Sequence, residues 1–245
     1  MPLFNKKFPP LSDFSVLMVD FHNHVLPGMD DGSPSIEESL KMLNAWVDLG
    51  YSKVITTPHV IASMYPNTKE QILGQMYHLR EVIEENNIPL ELEASAEYQI
   101  DFEFLDKLES GEVIPFGQQN YLLLELPWQK PAYSIADILF KVSLAGYEPI
   151  LTHPERYVYL SADFKKYEKL KDRGLLFQLN MNSLTGLYGR AVQKVAEKLI
   201  KNGMVEFVGS DAHHHTHLKE LKKLYRNQLF ADLVYSGKLK NKSLL

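Results

Sequence analysis

The chain contains no cysteine. Disulfides are therefore excluded, and so is catalysis by a cysteine thiolate. There is no run of the roughly 18 apolar residues that a membrane-spanning helix needs, so membrane insertion is not expected. An excess of positive charge is missing too: 26 Lys and Arg stand against 31 Asp and Glu, a formal net charge of −5. A dedicated nucleic-acid binder carries a basic footprint. Here Lys6-Lys7 and the mixed stretch Lys219 to Arg226 come nearest to one, and nucleic acid is not expected as a partner. Gly/Ser linkers, low-complexity tracts and blocks of like charge are also lacking. One domain over residues 1–245 is expected, with 1–14 as an N-terminal arm. Leu3, Phe4 and Phe8 of that arm are placed to pack on the body or on a neighbouring copy, and a homo-oligomer is compatible with this. The arm lacks the apolar core of a signal peptide, which makes the cytoplasm the expected location.

What is present is a rhythm of short β-branched runs and amphipathic stretches. Strands are expected at Val16–Phe21, Lys53–Thr57, Leu90–Tyr98, Tyr121–Glu125, Pro149–Thr152, Leu175–Leu179 and Val205–Val208. Helices are expected between them. The first has Ile36, Leu40, Leu43 and Val47 at helical spacing, with Ser33 or Ser35 as its cap, and it ends at Gly50. Others run over about 68–86, 102–110, 134–145, 162–173 and 188–202. Seven strand–helix units imply an α/β fold with a mostly parallel sheet and helices outside it. Its 245 residues suit a single α/β barrel.

In such folds the functional groups gather at the C-terminal ends of the strands. Strand by strand, those ends carry His22 and His24, then His59, Glu97, Glu125, His153 with Arg156, and finally Asp211 with His213. The sixth strand offers only Asn180 and Asn182. Side chains alternate along an extended segment, so His22-x-His24 puts both rings on one face. Taken singly, each piece has a structural explanation: a capped loop, a salt-bridged strand end, a turn at Asp30-Asp31-Gly32. Their recurrence at six of seven strand ends is what argues for a metal site. Five imidazoles and four or more carboxylates exceed the needs of one tetrahedral zinc. They fit two or three divalent ions, and nitrogen and oxygen donors without thiolate suit Mn²⁺, Fe²⁺, Zn²⁺ or Co²⁺. His78 is expected to be exposed, and His214, His215 and His217 remain unassigned.

The stretches Asp20-Phe21-His22-Asn23-His24 through Asp30-Asp31-Gly32, Thr56-Thr57-Pro58-His59, His153-Pro154-Glu155-Arg156-Tyr157 and Gly209-Ser210-Asp211-Ala212-His213 resemble the polymerase and histidinol phosphatase (PHP) family. Within it they are most similar to the bacterial manganese-dependent protein-tyrosine phosphatases of capsule and exopolysaccharide loci, the CpsB/YwqE type. The resemblance implies a distorted (β/α)7 barrel with a trinuclear centre. By position, His22, His24, Glu97 and Asp211 would hold one ion, with Glu97 bridging to a second held by Glu125 and His153. Asp31, His59 and His213 would hold the third. Arg156, Asp211 and His213 are the implied catalytic residues. The segment after His213 departs from the family pattern. Histidinol phosphatases often have histidines where this chain has Asp31 and Glu125, so the carboxylates favour the tyrosine-phosphatase branch.

The expected activity is phosphomonoester hydrolysis by metal-activated hydroxide, with Mn²⁺ as the implied cofactor and Arg156 neutralising phosphoryl oxygens. The implied substrate is a phosphotyrosine protein, a bacterial tyrosine kinase that controls polysaccharide export. Histidinol-phosphate hydrolysis is the nearest alternative. A nuclease module and a non-catalytic metal-binding protein are the others.

Overall fold

The computed structural model describes residues 8–129 and 134–245. The first half of the chain runs β1 (Val19–Asp20), α1 (Ile36–Asp48), β2 (Lys53–Thr56), β3 (His59–Val60), α2 (Lys69–Glu85), β4 (Glu91–Ala94), β5 (Glu97–Gln99) and α3 (Phe102–Ser110). It continues through β6 (Tyr121–Glu125), α4 (Ile135–Leu144), β7 (Glu148–Thr152), α5 (Val158–Ser161), α6 (Lys165–Lys171), β8 (Leu176–Asn180) and α7 (Met181–Thr185). The last elements are α8 (Arg190–Lys201), β9 (Phe207–Gly209), α9 (His215–Glu220) and α10 (Gln228–Tyr235).

Local chemistry sets the helix starts. Ser35, not Ser33, caps α1, its hydroxyl accepting from Glu38 N, with Glu37 and Glu38 in the first turn. Ser33 is buried and instead donates to Ser35 O at 2.9 Å. Thr68 and Gln71 form a reciprocal capping box at α2. Asp101 and Ser134 cap α3 and α4.

All paired strands are parallel, in two sheets ordered β1-β2-β4 and β3-β5-β6-β7-β8-β9. The expected α/β architecture with parallel strands and outer helices is therefore present. The strand limits differ most from expectation in three places. The first strand is two residues long because Met18 adopts φ 65°, which an extended run does not tolerate. Leu90–Tyr98 is two strands: β4 pairs with β2, and after Ser95-Ala96 the chain changes sheet and β5 pairs with β3 and β6. Pro58 makes the same transfer one unit earlier, so His59 opens a separate strand rather than ending β2.

The larger core lies between the sheets and the helices, with Trp46, Tyr98, Tyr157, Tyr167 and Phe177 buried in it. A smaller apolar cluster takes Val19 and Ile55 from the first sheet, Phe21 just after β1, and Leu123, Ile150 and Phe207 from the second sheet. The two sheets thus share an inner face. Side-chain alternation then carries polar groups onto that face near the strand ends, as with Leu123 and Glu125 on β6. Residues 8–14 of the arm pack on the C-terminal elements. Phe8 N donates to Asp232 Oδ1 (3.2 Å), Leu11 N donates to Tyr225 O (3.0 Å), and Phe14 is buried. Leu3 and Phe4 lie outside the described residues.

Candidate metal centre

The His-x-His segment runs between two others. Thr57 N donates to Asn23 O at 2.8 Å on one side, while on the other Asp211 N donates to His22 O at 2.7 Å and His24 N to Ala212 O at 3.0 Å. These bonds bring the ends of β1, β2 and β9 into contact and set both imidazoles beside Asp211. Sheet register supplies the other side, since His59 pairs with Glu97 across β3 and β5, and Glu125 lies opposite Gln99. His153 and Asp211 adopt left-handed backbone, φ 31° and 49°, conformations that a non-glycine residue keeps only when its surroundings enforce them.

Glu97 is the hub. One of its oxygens, Oε2, lies 3.2 Å from His22 Nε2, 3.6 Å from His24 Nε2 and 3.1 Å from His59 Nδ1, while the other, Oε1, is 3.2 Å from His153 Nε2. Asp211 Oδ1 is 3.4 Å from Nε2 of both His22 and His24. Glu125 Oε1 approaches His153 Nε2 at 3.6 Å. Asp31 Oδ1 stands 3.5 Å from Nε2 of His59 and of His213. The structure therefore brings together all nine residues expected as ligands, and His78 is not among them.

Proximity here is not hydrogen bonding. Nε2 of His22 and His24, Nδ1 of His59 and both oxygens of Glu97 are buried without a hydrogen-bond partner among the described residues. Native proteins rarely leave such groups unsatisfied. These atoms crowd one space without bonding one another, as donors around a cation do. The outer nitrogens agree. His22 Nδ1 donates to Gln178 Oε1 (2.7 Å), His24 Nδ1 to Asp30 Oδ2 (2.7 Å) and His213 Nδ1 to Asp211 O (3.1 Å). Each of these partners only accepts, so Nδ1 carries a proton, and in the neutral ring it is the Nε2 lone pair that faces inward. His22, His24, Glu97 and Asp211 have ligand atoms within 4.8 Å of one another, as do His24, His59 and His213, and His59, Glu97 and Glu125. The donor set fits divalent ions.

The electrostatics agree with a site that needs positive charge. Burial opposes protonation of His22 and His59, yet the neighbouring carboxylates outweigh it, Glu97 most of all, and raise the two imidazoles to about 9 and about 10. Burial likewise opposes ionisation of Glu97 and Asp211, but the surrounding imidazoles hold both well below the usual carboxylate range. Glu125 is pushed up to about 8 by burial and by Glu97. His153 is pushed down to about 4 by burial and Arg156.

Arg156 pairs with Asp211, not with Glu155, at 2.8 Å, its guanidinium lying over Trp128 (4.8 Å) and Tyr188 (4.4 Å). Glu155 turns inward to accept from Asn180 N and Ser183 Oγ. A cleft of about 200 Å³ opens over the centre, lined by Asp31, His59, Glu125, His153, Arg156, Asp211 and His213 and by Ile61, Met64, Tyr65, Gln99 and Trp128. In the tail, His214 is exposed, His215 bonds Glu38 at 2.6 Å, and His217 Nδ1 accepts from His213 N at 3.4 Å. Four supporting residues were not expected from sequence: Asp30, Gln178, Trp128 and Tyr188. Asp30 reads as a turn residue, yet it is largely buried and accepts from His24, Gly32 N and His59 N. Its adjacency to Asp31 was the available signal. Gln178 lies inside a predicted strand and had none.

Parallel strands presenting buried imidazoles and carboxylates from successive ends define an α/β protein with a cluster that could hold metal. The capsular polysaccharide synthesis CpsB/CapC family model matches residues 18–226, and the chain belongs to that family. It is 27% identical over 222 residues to the tyrosine-protein phosphatase YwqE of Bacillus subtilis, covering 89% of this chain and 87% of that one. It is also 27% identical over 202 residues to the tyrosine-protein phosphatase CpsB of Streptococcus pneumoniae, covering 80% and 83%. Its fold is similar to a solved structure described together as YwqE and CpsB, unique metal-dependent tyrosine phosphatases, with TM-score 0.80, 27% identity and coverage of 89% and 90%. Among the described residues no helix is long and apolar enough to cross a membrane.

Proposed function

We propose that this chain is a metal-dependent protein-tyrosine phosphatase linked to capsule or exopolysaccharide synthesis, working as one domain on a distorted barrel. The observation that carries this reading is the convergence of unbonded, buried imidazole nitrogens and carboxylate oxygens on Glu97, beside an anchored arginine. His22, His24, Glu97 and Asp211 would hold one ion. Glu97, Glu125 and His153 would hold a second, and Asp31, His59 and His213 a third. Manganese is the proposed metal, with Fe²⁺, Zn²⁺ and Co²⁺ compatible with the same donors. Bound divalent ions supply Lewis acidity, activating water near neutral pH and offsetting phosphoryl charge.

The chain's own groups do the rest. Arg156 commits one donor to Asp211 and keeps others for phosphoryl oxygens, and the two flanking rings fix its plane. Asp211 Oδ2 also accepts from Asn180 Nδ2 at 2.7 Å, so the carboxylate cannot rotate away from the imidazoles. Gln178 and Asp30 fix the proton of the neutral His22 and His24 rings on Nδ1, which turns Nε2 toward Glu97 and Asp211. A tyrosyl leaving group, with a phenol pKa of about 10, needs little protonation to depart. The absence of cysteine excludes the thiolate route to the same product. The proposed substrate is a phosphotyrosine protein of the cytoplasm, a bacterial tyrosine kinase.

The experiment is a side-by-side assay of Mn²⁺-loaded protein on a phosphotyrosine peptide and on histidinol phosphate. Faster release from the peptide, abolished by His22→Ala or Asp211→Ala, is expected. Preference for histidinol phosphate, or full activity in either variant, would contradict the reading.

A further inference from the structure

Two walls of the cleft carry aromatic rings to which the chemistry proposed above gives no contact with the substrate. On the floor, His59 and His153 flank Glu97, one on each carboxylate oxygen, at 3.1 Å and 3.2 Å. Each is overlaid by an aromatic ring that also lines the cleft. Tyr65 lies 5.7 Å from His59 with the rings 14° apart, and Trp128 lies 5.8 Å from His153 with the rings 3° apart. Met64 stands next to Tyr65. Met64 and Trp128 are 64% and 53% exposed, although the indole is held on two sides, by Arg156 at 4.8 Å and by Tyr157 at 5.9 Å. An indole that is fixed yet half open offers a large apolar face at little cost in side-chain entropy. Its contact with Arg156 also ties that face to the phosphate-binding group at a set distance.

We infer that Trp128, with Met64 and Tyr65, forms a subsite for the aromatic ring of an aryl phosphomonoester, and so sets selectivity for phosphotyrosine over alkyl phosphomonoesters; this rests on the phosphatase reading. A ring entering between these walls is buried against an indole, a phenol and a thioether, all favourable partners for an aromatic face. A seryl leaving group has no ring, cannot reach both walls, and leaves the indole in water.

The test measures kcat/KM for one peptide carrying either phosphotyrosine or phosphoserine, in the wild type, Trp128→Ala and Trp128→Phe. Trp128→Ala is expected to reduce the phosphotyrosine-to-phosphoserine ratio by about tenfold to a hundredfold, and Trp128→Phe to restore most of it. Equal losses on both substrates would show that the indole only supports Arg156, and would overturn the subsite. A second readout needs no turnover. The chain has two tryptophans, and Trp46 is fully buried, so collisional quenching by acrylamide reports Trp128. A peptide carrying phosphonomethyl-phenylalanine should protect Trp128 from quenching, whereas inorganic phosphate should not. Equal protection by both, or by neither, overturns the subsite. Turnover with an unchanged ratio refutes the subsite and leaves the phosphatase standing. Protection without turnover of any phosphomonoester supports the subsite and refutes the phosphatase.

Discussion

Replacing Gln178 with Met should loosen the metal centre without unfolding the chain. Gln178 is buried, its Oε1 accepts from His22 Nδ1 at 2.7 Å, and its amide orientation is set because Nε2 donates to Leu179 O at 2.8 Å. Met has similar length and flexibility but no comparable acceptor or donor, so volume is kept while the bonds to His22 Nδ1 and Leu179 O are both lost. Two costs follow. An unpaired buried N–H costs about 1–3 kcal/mol of stability. The proton of the neutral His22 ring is also no longer held on Nδ1, so a fraction of the neutral rings presents N–H where a lone pair is needed. Loss of an outer partner of this kind typically weakens metal affinity by about 10–100-fold, the same range of energy at about 1.4 kcal/mol per decade. The assay is competition between the chelator-treated protein and a fluorescent metal indicator, with circular dichroism as the check on folding. Gln178→Glu keeps an acceptor and should lose less affinity than Gln178→Met. A folded Gln178→Met variant with wild-type affinity would refute the claim that Gln178 sets the His22 tautomer.

Gly209→Ala would place a Cβ 2.7 Å from His22 Cβ and 2.9 Å from Gln178 Nε2. Overpacking of this kind costs about 1–3 kcal/mol, so a lower unfolding midpoint and weaker metal binding are expected; no change in either would count against the packing described. Metal binding at pH 7 should expel on the order of two to three protons per chain, because His22, His59 and Glu125, at about 9, about 10 and about 8, all hold protons in the metal-free protein. Calorimetry in two buffers of different ionisation heat reads that number, and zero release would contradict the charge assignment. The metal-free protein should lose stability as pH rises from 7 to 10. The raised pKa values of His22 and His59 contribute fully below about 6.5 and are lost through their folded values, and Glu125 acts in the same direction up to about 8. Glu97 and Asp211, held low, contribute above the usual carboxylate range and lose that only in acid. Urea unfolding across this range tests the slope, and a flat profile would contradict it.

The cluster of candidate ligands was legible because strand ends announce themselves: short apolar runs stop abruptly at His, Glu or Asp. Where the chain changes sheets was not legible. Leu90–Tyr98 alternates cleanly enough to read as one strand, and nothing local marks Ser95-Ala96 as the point of transfer. The consequence is that Glu97 begins a strand beside His59 instead of ending one. Supporting groups were hidden for a different reason. Gln178 is one polar residue inside an apolar strand, and Asp30 carries a turn signature, so only the fold shows what each touches. Trp128 was invisible because an exposed aromatic after a strand has no periodicity to mark it.

The most direct test of the centre is to strip the protein with EDTA, titrate Mn²⁺ back, and follow bound metal and phosphate release from a phosphotyrosine peptide in the same samples. The account predicts no activity in the stripped protein and activity that rises as two or three equivalents bind. Turnover that survives complete removal of metal, or none with any divalent ion restored, would contradict it.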